Sequence, residues 1–149
     1  AEHESDPWSG HIALPGGRRH AEDEDLLATA MRETAEETAV PLARTGQLLG
    51  ALDEVEPSTP RLPPIIIAPF VLGVAPDTTA VPDPREVEAA LWFPLDALRN
   101  PDAVSEILIE LEGGERRAYP SLRYGNHVIW GLTHRILTRF MRIAEECGV

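Results

Sequence analysis

Apolar residues recur along the chain with two spacings, one typical of helices and the other typical of strands. The three-and-four spacing in Leu26–Thr38 predicts a helix with one apolar stripe, capped at its start by Asp25 and ended by Pro41. The same spacing in His127–Glu146 predicts a longer amphipathic helix. Its expected buried face consists of Ile129, Leu132, Ile136, Leu137, Phe140 and Ile143.

Shorter apolar runs bounded by proline and glycine predict strands. Ile65–Val74 is apolar on both faces, which favours a central place in a sheet. Pro94 is expected to open a brief helix, and Trp92 and Phe93 are expected in the core. The strands alternate with two main helices, which predicts an α/β fold with helices packed on a mixed sheet. The expected strands are His11–Leu14, Gln47–Val55, Ile65–Val74 and Ala89–Phe93, with a hairpin formed by Ser105–Glu112 and Arg117–Tyr119.

Composition narrows the kinds of protein that this chain can be. Its 149 residues, 43% of them hydrophobic, are enough for a single domain over residues 1–149. No apolar run reaches the length of a membrane span, and the net charge of −12 would repel nucleic acids and anionic membranes. We therefore expect neither as a partner. The single cysteine, Cys147, excludes an internal disulfide and fits a cytoplasmic protein.

Three glutamates crowd one side of the predicted helix. Glu33, Glu36 and Glu37 are separated by three, four and one residues, so they fall within about a third of the helix circumference. Like charges at these separations repel each other, and a hard divalent cation such as Mg²⁺ or Mn²⁺ would remove that repulsion. Taken alone, such a pattern is more typical of a solvated helix face.

The segment upstream of the helix favours the metal-binding interpretation. Pro15-Gly16-Gly17 predicts a turn at which the backbone can approach a phosphate closely, with Gly17 as a contact. Arg18 and Arg19 follow and can reach an anionic substrate despite the net charge. Arg32 stands four residues before Glu36, so it can pair with that carboxylate and fix its rotamer.

These residues resemble the Nudix family signature, G-x5-E-x7-R-E-U-x-E-E-x-G-U, where U is a bulky aliphatic residue. Glu24 matches the first glutamate of the signature. The position of the signature glycine falls on Arg18, one residue after Gly17, so the loop between Gly17 and Glu24 is one residue longer than in the signature. Thr34 and Ala39 replace an aliphatic residue and a glycine, and Ala39 is expected to end the helix without a left-handed turn. The matching residues of the helix are Arg32, Glu33, Glu36, Glu37 and Val40.

The longer loop and the pattern G-x3-L-P-G-G, Gly10–Gly17, resemble the coenzyme A pyrophosphatase branch of this family, as does Ile129–Thr133. The resemblance implies a Nudix α/β/α sandwich that hydrolyses a diphosphate linkage in a nucleoside diphosphate derivative, with Mg²⁺ or Mn²⁺ as cofactor. Family members usually have a strand before Gly10, which this chain is expected to lack. Nudix proteins often dimerise, so the resemblance is compatible with a homodimer, and the sequence leaves the oligomeric state open.

The same resemblance assigns roles to individual residues. The metal ligands would be Glu33, Glu36 and Glu37, with Glu24 or a neighbouring loop acid, Asp23 or Asp25, as a further ligand. Glu86, within DPREVEAALWFPL, resembles a glutamate that contacts substrate or water; the general base would be Glu86, Glu36 or Glu37. Two polar loops, Glu56–Pro64 and Ala75–Pro84, are candidates for substrate contact. The alternatives are a Nudix hydrolase of another substrate and a non-catalytic nucleotide-binding Nudix domain.

Overall fold

A computed structural model describes residues 11–57 and 65–149, which fall into two compact units. The first unit contains the described part of residues 14–91, and the second contains residues 11–13 and 92–149. The expectation about an N-terminal strand concerns residues that lie outside this description, and so does most of the expected loop Glu56–Pro64. Both units combine helices with antiparallel strands, which agrees with the expected α/β class.

Helix α1 of the first unit spans Leu26–Thr38, as predicted. The Asp25 carboxylate accepts the N–H of Ala28 at 2.8 Å and so caps the first turn. One detail of the prediction is wrong, because Ala39 does adopt the left-handed conformation, with φ of 60°. This conformation costs a residue with a Cβ about 1 kcal/mol, and it lets the Ala39 N–H bond the carbonyl of Ala35.

A two-stranded sheet follows helix α2, Leu42–Thr45. Strands β1, Gln47–Ala51, and β2, Phe70–Gly73, pair antiparallel, and a further bridge joins Val55 to Ile67. The strands are therefore shorter than the apolar runs that predicted them. In the described residues β2 pairs with β1. Its residues are half-buried on both faces, which explains the uniformly apolar pattern.

The second unit begins with helix α3, Leu95–Arg99, which directly follows Pro94 and confirms the brief helix. After a 3-10 turn, strands β3, Val104–Glu110, β4, Arg116–Tyr124, and β5, His127–Trp130, form an antiparallel sheet in that order. The β3–β4 hairpin turns at Gly113 and Gly114, both with positive φ, and is confirmed. Helix α4 spans Gly131–Glu146, so the first four residues of the long predicted helix form a strand instead.

The core of this unit shows why some apolar patterns were misassigned. Ile129 is 1% exposed and lies in the core with Leu98, Ala103 and Leu122, but as a strand residue rather than on a helix face. Ile12 and Phe93 pack against that core although His11–Leu14 and Ala89–Phe93 are not strands. Their apolar character reflects this packing and not pairing in a sheet.

One core expectation is wrong outright, because the Trp92 side chain is 59% exposed. Its neighbour Phe93 is half-buried and packs against the core, so burial changes within one residue of chain. None of the helices in the described residues is both long and apolar enough to cross a membrane.

We expect Ile129→Ala to lower the free energy of unfolding by about 2–5 kcal/mol, because it leaves a cavity in a packed core. The measurement is denaturant unfolding followed by circular dichroism. Leu108→Ala on strand β3 is the control, since Leu108 is 65% exposed and should change stability by less than about 0.5 kcal/mol. Equal effects of the two substitutions would contradict this assignment of the core.

Candidate active site

Carboxylates from two separated parts of the first unit meet beside helix α1. Glu33 and Glu36 come from the helix, and Glu86 comes from the segment that follows strand β2. One carboxylate oxygen of each lies within 4.8 Å of those of the other two. The structure thus brings together Glu86 and two of the three helix glutamates singled out in the sequence.

Backbone hydrogen bonds hold the segment that carries Glu86 against the end of helix α1. The N–H of Val81 donates to the carbonyl of Thr38 at 2.7 Å, and the N–H of Asp83 donates to that of Glu37 at 3.0 Å. The last carbonyls of a helix have no partner within the helix, so these two bonds satisfy acceptors that would otherwise be unpaired. The loop Ala75–Pro84 is therefore fixed, at its second half, to the element that carries the acidic cluster.

Glu37 adds a fourth carboxylate next to this cluster. Burial raises the pKa of Glu37 above its ordinary value, the Gly16 N–H that it accepts at 3.4 Å opposes that shift, and the charges of Glu33 and Glu86 add to it. Four neighbouring carboxylates repel one another, and this repulsion favours the binding of a cation.

The predicted turn at Pro15–Gly17 lies directly on these side chains. A Cβ atom built on Gly17 would overlap the Glu33 carboxylate, whereas one built on Gly16 would meet open space. The space beside Gly17 is thus limited by the Glu33 carboxylate, and its φ is not positive. This contact is to a candidate metal ligand.

Arg32 links the acidic cluster to a buried residue of the preceding loop. Its Nε and Nη2 bond the two carboxylate oxygens of Asp23 at 2.9 and 3.0 Å, and its Nη1 bonds Glu33 at 3.1 Å and Glu36 at 3.3 Å. The guanidinium group holds the pKa of Asp23 well below its usual range, while the Asp23 bond raises the pKa of Arg32. Arg32 therefore orients two of the cluster carboxylates, as its spacing predicted for Glu36.

Asp23 is the functional residue whose role sequence reasoning missed. It is 7% exposed, and its carboxylate also accepts the N–H of His20 at 2.8 Å and the hydroxyl of Thr29 at 3.0 Å. Its oxygens thus accept hydrogen bonds from protein donors, which stabilises the loop that precedes helix α1. Asp23 stands nine positions before Arg32, whereas the signature places its acid eight positions before the arginine and therefore pointed to Glu24.

The remaining loop candidates are Arg18, Arg19 and Glu24. Arg19 donates to the backbone carbonyls of Asp23 at 3.2 Å and Glu24 at 3.0 Å, so it closes the loop. Arg18 is exposed, and its carbonyl accepts Arg32 Nη2 at 3.1 Å. Among the described residues, Glu24 is not part of the acidic cluster; it lines a shallow concavity with Arg19, Asp25, Leu26, Leu27 and Phe70.

The cluster fits a hard divalent ion and not a soft one. Its donors are carboxylate oxygens, which Mg²⁺ and Mn²⁺ prefer, and no cysteine or histidine of the described residues belongs to it. Glu33, Glu36 and Glu86 are the residues that could hold such an ion, with Glu37 adjacent to them.

The model of the family described as NUDIX domain matches residues 1–111, which include every residue of this site. The chain belongs to the Nudix family. Within the Nudix domain, the resemblance inferred from residues 10–40 is confirmed at the level of the family, and the helices and antiparallel sheets are consistent with the Nudix fold.

Of three curated relatives, two carry the Nudix name. The chain is 30% identical to the uncharacterized Nudix hydrolase NudL of Photorhabdus laumondii over 87% of its own length, and 32% identical to that of Yersinia pestis over the same share. It is 33% identical over 78% of its length to an uncharacterized protein of Schizosaccharomyces pombe. It spans 66%, 62% and 36% of these three proteins, respectively.

We expect Gly17→Ala to weaken Mn²⁺ binding about tenfold with little loss of stability, because the new methyl group displaces the Glu33 carboxylate group and no backbone atom. Isothermal titration calorimetry with Mn²⁺ alone measures the affinity. Gly16→Ala is the matched control, since a Cβ there meets open space and the N–H is kept. Unchanged Mn²⁺ affinity in Gly17→Ala would remove Glu33 from the ligand set.

Proposed function

We propose that this Nudix domain hydrolyses a diphosphate linkage in a nucleoside diphosphate derivative with Mg²⁺ or Mn²⁺ as cofactor. The observation that carries the proposal is the convergence of Glu33, Glu36 and Glu86 within 4.8 Å of one another. Two of these acids stand in the family signature, and the third arrives from a segment 50 residues beyond Glu36. Membership of the Nudix family supports the reaction type.

Each side chain of the site has its own proposed role. Glu33, Glu36 and Glu86 would hold the ion, and Arg32 would keep the first two in place through its bonds to their carboxylates. When bound, the ion neutralises charge on the diphosphate and lowers the pKa of a coordinated water. We assign acceptance of the water's proton to Glu37, because it lies beside the carboxylates that would hold the ion and is not one of them.

Coenzyme A and its derivatives are the substrates that we favour within this class. The support is the resemblance to the coenzyme A pyrophosphatase branch, in the pattern Gly10–Gly17 and in the box loop that is one residue longer. Arg18 is the exposed cation nearest in sequence to Gly17, so it is our candidate for contact with substrate phosphate. The Arg19 side chain bonds the backbone carbonyls of Asp23 and Glu24 in the same loop.

We expect Glu36→Gln to lower the hydrolysis rate by at least about a hundredfold and to weaken Mn²⁺ binding, because it removes a charge worth several kcal/mol in the transition state. The thermal melting temperature should stay close to that of the parent, since the Glu36 side chain is 46% exposed. The matched control is Glu22→Gln, an exposed acid of the same loop-and-helix segment. Parental turnover by the Glu36 variant would show that its assignment is wrong.

A substrate panel with and without Mn²⁺ tests the substrate class. We expect coenzyme A to yield 3′,5′-ADP and 4′-phosphopantetheine faster than an ADP-sugar, a dinucleoside polyphosphate or an oxidised nucleoside triphosphate is cleaved. Product identification by liquid chromatography and mass spectrometry distinguishes these cases. Preference for another member of the panel would reassign the substrate, and nucleotide binding without any metal-dependent product would favour a non-catalytic Nudix domain.

A further inference from the structure

Glu86 reaches the acidic cluster through a tight turn that begins at Asp83. The Asp83 carbonyl accepts the N–H of Glu86 at 3.0 Å and that of Val87 at 2.9 Å. Pro84 occupies the second position of the turn, where its fixed φ favours this conformation, and aspartate is a preferred residue at the first position. The sequence DPRE thus specifies the turn that presents Glu86.

The Asp83 side chain reinforces the same turn. Its carboxylate accepts the backbone N–H of Arg85 at 3.0 Å, which is the pattern of an Asx turn. It also accepts Nε and Nη2 of Arg85 at 3.1 and 2.8 Å. The Arg85 side chain is 87% exposed and that of Asp83 is 20% exposed. The hydrogen bond from the Arg85 backbone N–H is therefore better shielded from water than the ion pair with the Arg85 guanidinium group.

Asp83 also connects the turn to the metal-binding helix. Its own N–H donates to the carbonyl of Glu37, the residue that follows Glu36. One residue therefore anchors the segment to the end of helix α1 and sets the path of the chain to Glu86. Its carboxylate is engaged by Arg85 and is not a member of the cluster formed by Glu33, Glu36 and Glu86.

We propose that Asp83 is a positioning residue that delivers Glu86 to the metal-binding carboxylates. This inference rests on the proposed function and adds a residue outside the acidic cluster to its machinery. Asp83 acts through the geometry of residues 83–87, so its contribution requires an oxygen acceptor at this position more than it requires a negative charge. Asparagine keeps that acceptor, and alanine does not.

We expect Asp83→Ala to lower kcat about tenfold and the Mn²⁺ affinity of the chain without substrate by a similar factor, with KM changed less than about twofold. Asp83→Asn should keep kcat, KM and Mn²⁺ affinity within about twofold of the parent, because its side-chain oxygen still accepts the Arg85 N–H. Arg85→Ala should do the same, since an exposed ion pair contributes little. Asp53→Ala, an exposed acid outside this segment, controls for the lost charge.

A double-mutant cycle separates positioning from a general structural effect. If Asp83 acts through Glu86, Asp83→Ala should reduce activity and Mn²⁺ affinity no further in a Glu86→Gln background. Losses that multiply in the double variant, or a failure of Asp83→Asn to restore Mn²⁺ affinity, would overturn the proposal.

The Mn²⁺ titrations keep this test independent of turnover. If the parent chain binds Mn²⁺ but cleaves no substrate, the proposed function fails, while the cycle of Mn²⁺ affinities still decides the role of Asp83. Thermal melting of each variant identifies loss of folding. Should Asp83→Ala not fold, the Asp83→Asn and Arg85→Ala variants still decide, because a tenfold loss of Mn²⁺ affinity in either one contradicts the proposal.

Discussion

The bidentate ion pair between Arg32 and Asp23 is the interaction on which the candidate site depends. A carboxylate that is 7% exposed is tolerated only when its oxygens are paired, and here Arg32, His20 and Thr29 supply the donors. The other edge of the same guanidinium bonds Glu33 and Glu36. One cation thus joins the loop to the helix and partly offsets the repulsion among the helix glutamates.

The second constraint is the end of helix α1. Its last carbonyls need donors, and the N–H groups of Val81 and Asp83 supply them. This requirement of secondary structure has a consequence for the site, because the segment that satisfies it carries Glu86 into the acidic cluster. Ala39 contributes to the same junction: by accepting a left-handed conformation it ends the helix at Thr38, whose carbonyl then receives Val81.

Local spacing explains what could be predicted from the sequence. Glu33 and Glu36 share a helix face because of their separation along the chain, and Asp25 caps that helix through a contact three residues away. The approach of Glu86 depends on tertiary hydrogen bonds that no periodicity encodes. His127–Trp130 was misassigned because four apolar-rich residues fit either period, and the positive φ of Gly131, where the strand gives way to the helix, has no signature in spacing.

The extra residue of the loop shows how the signature tolerates variation. Arg32 pairs with Asp23 and not with Glu24, so the acid that anchors the loop lies one residue earlier than the signature places it. From Asp23 back to Gly17 there are five intervening residues, the same number that the signature places between its glycine and its acid. The added residue is therefore accommodated between Asp23 and the helix, and Gly17 still lies against Glu33. The preserved spacing is the one between Gly17, which lies against Glu33, and the buried Asp23, since these two residues fix the loop beside the acidic cluster.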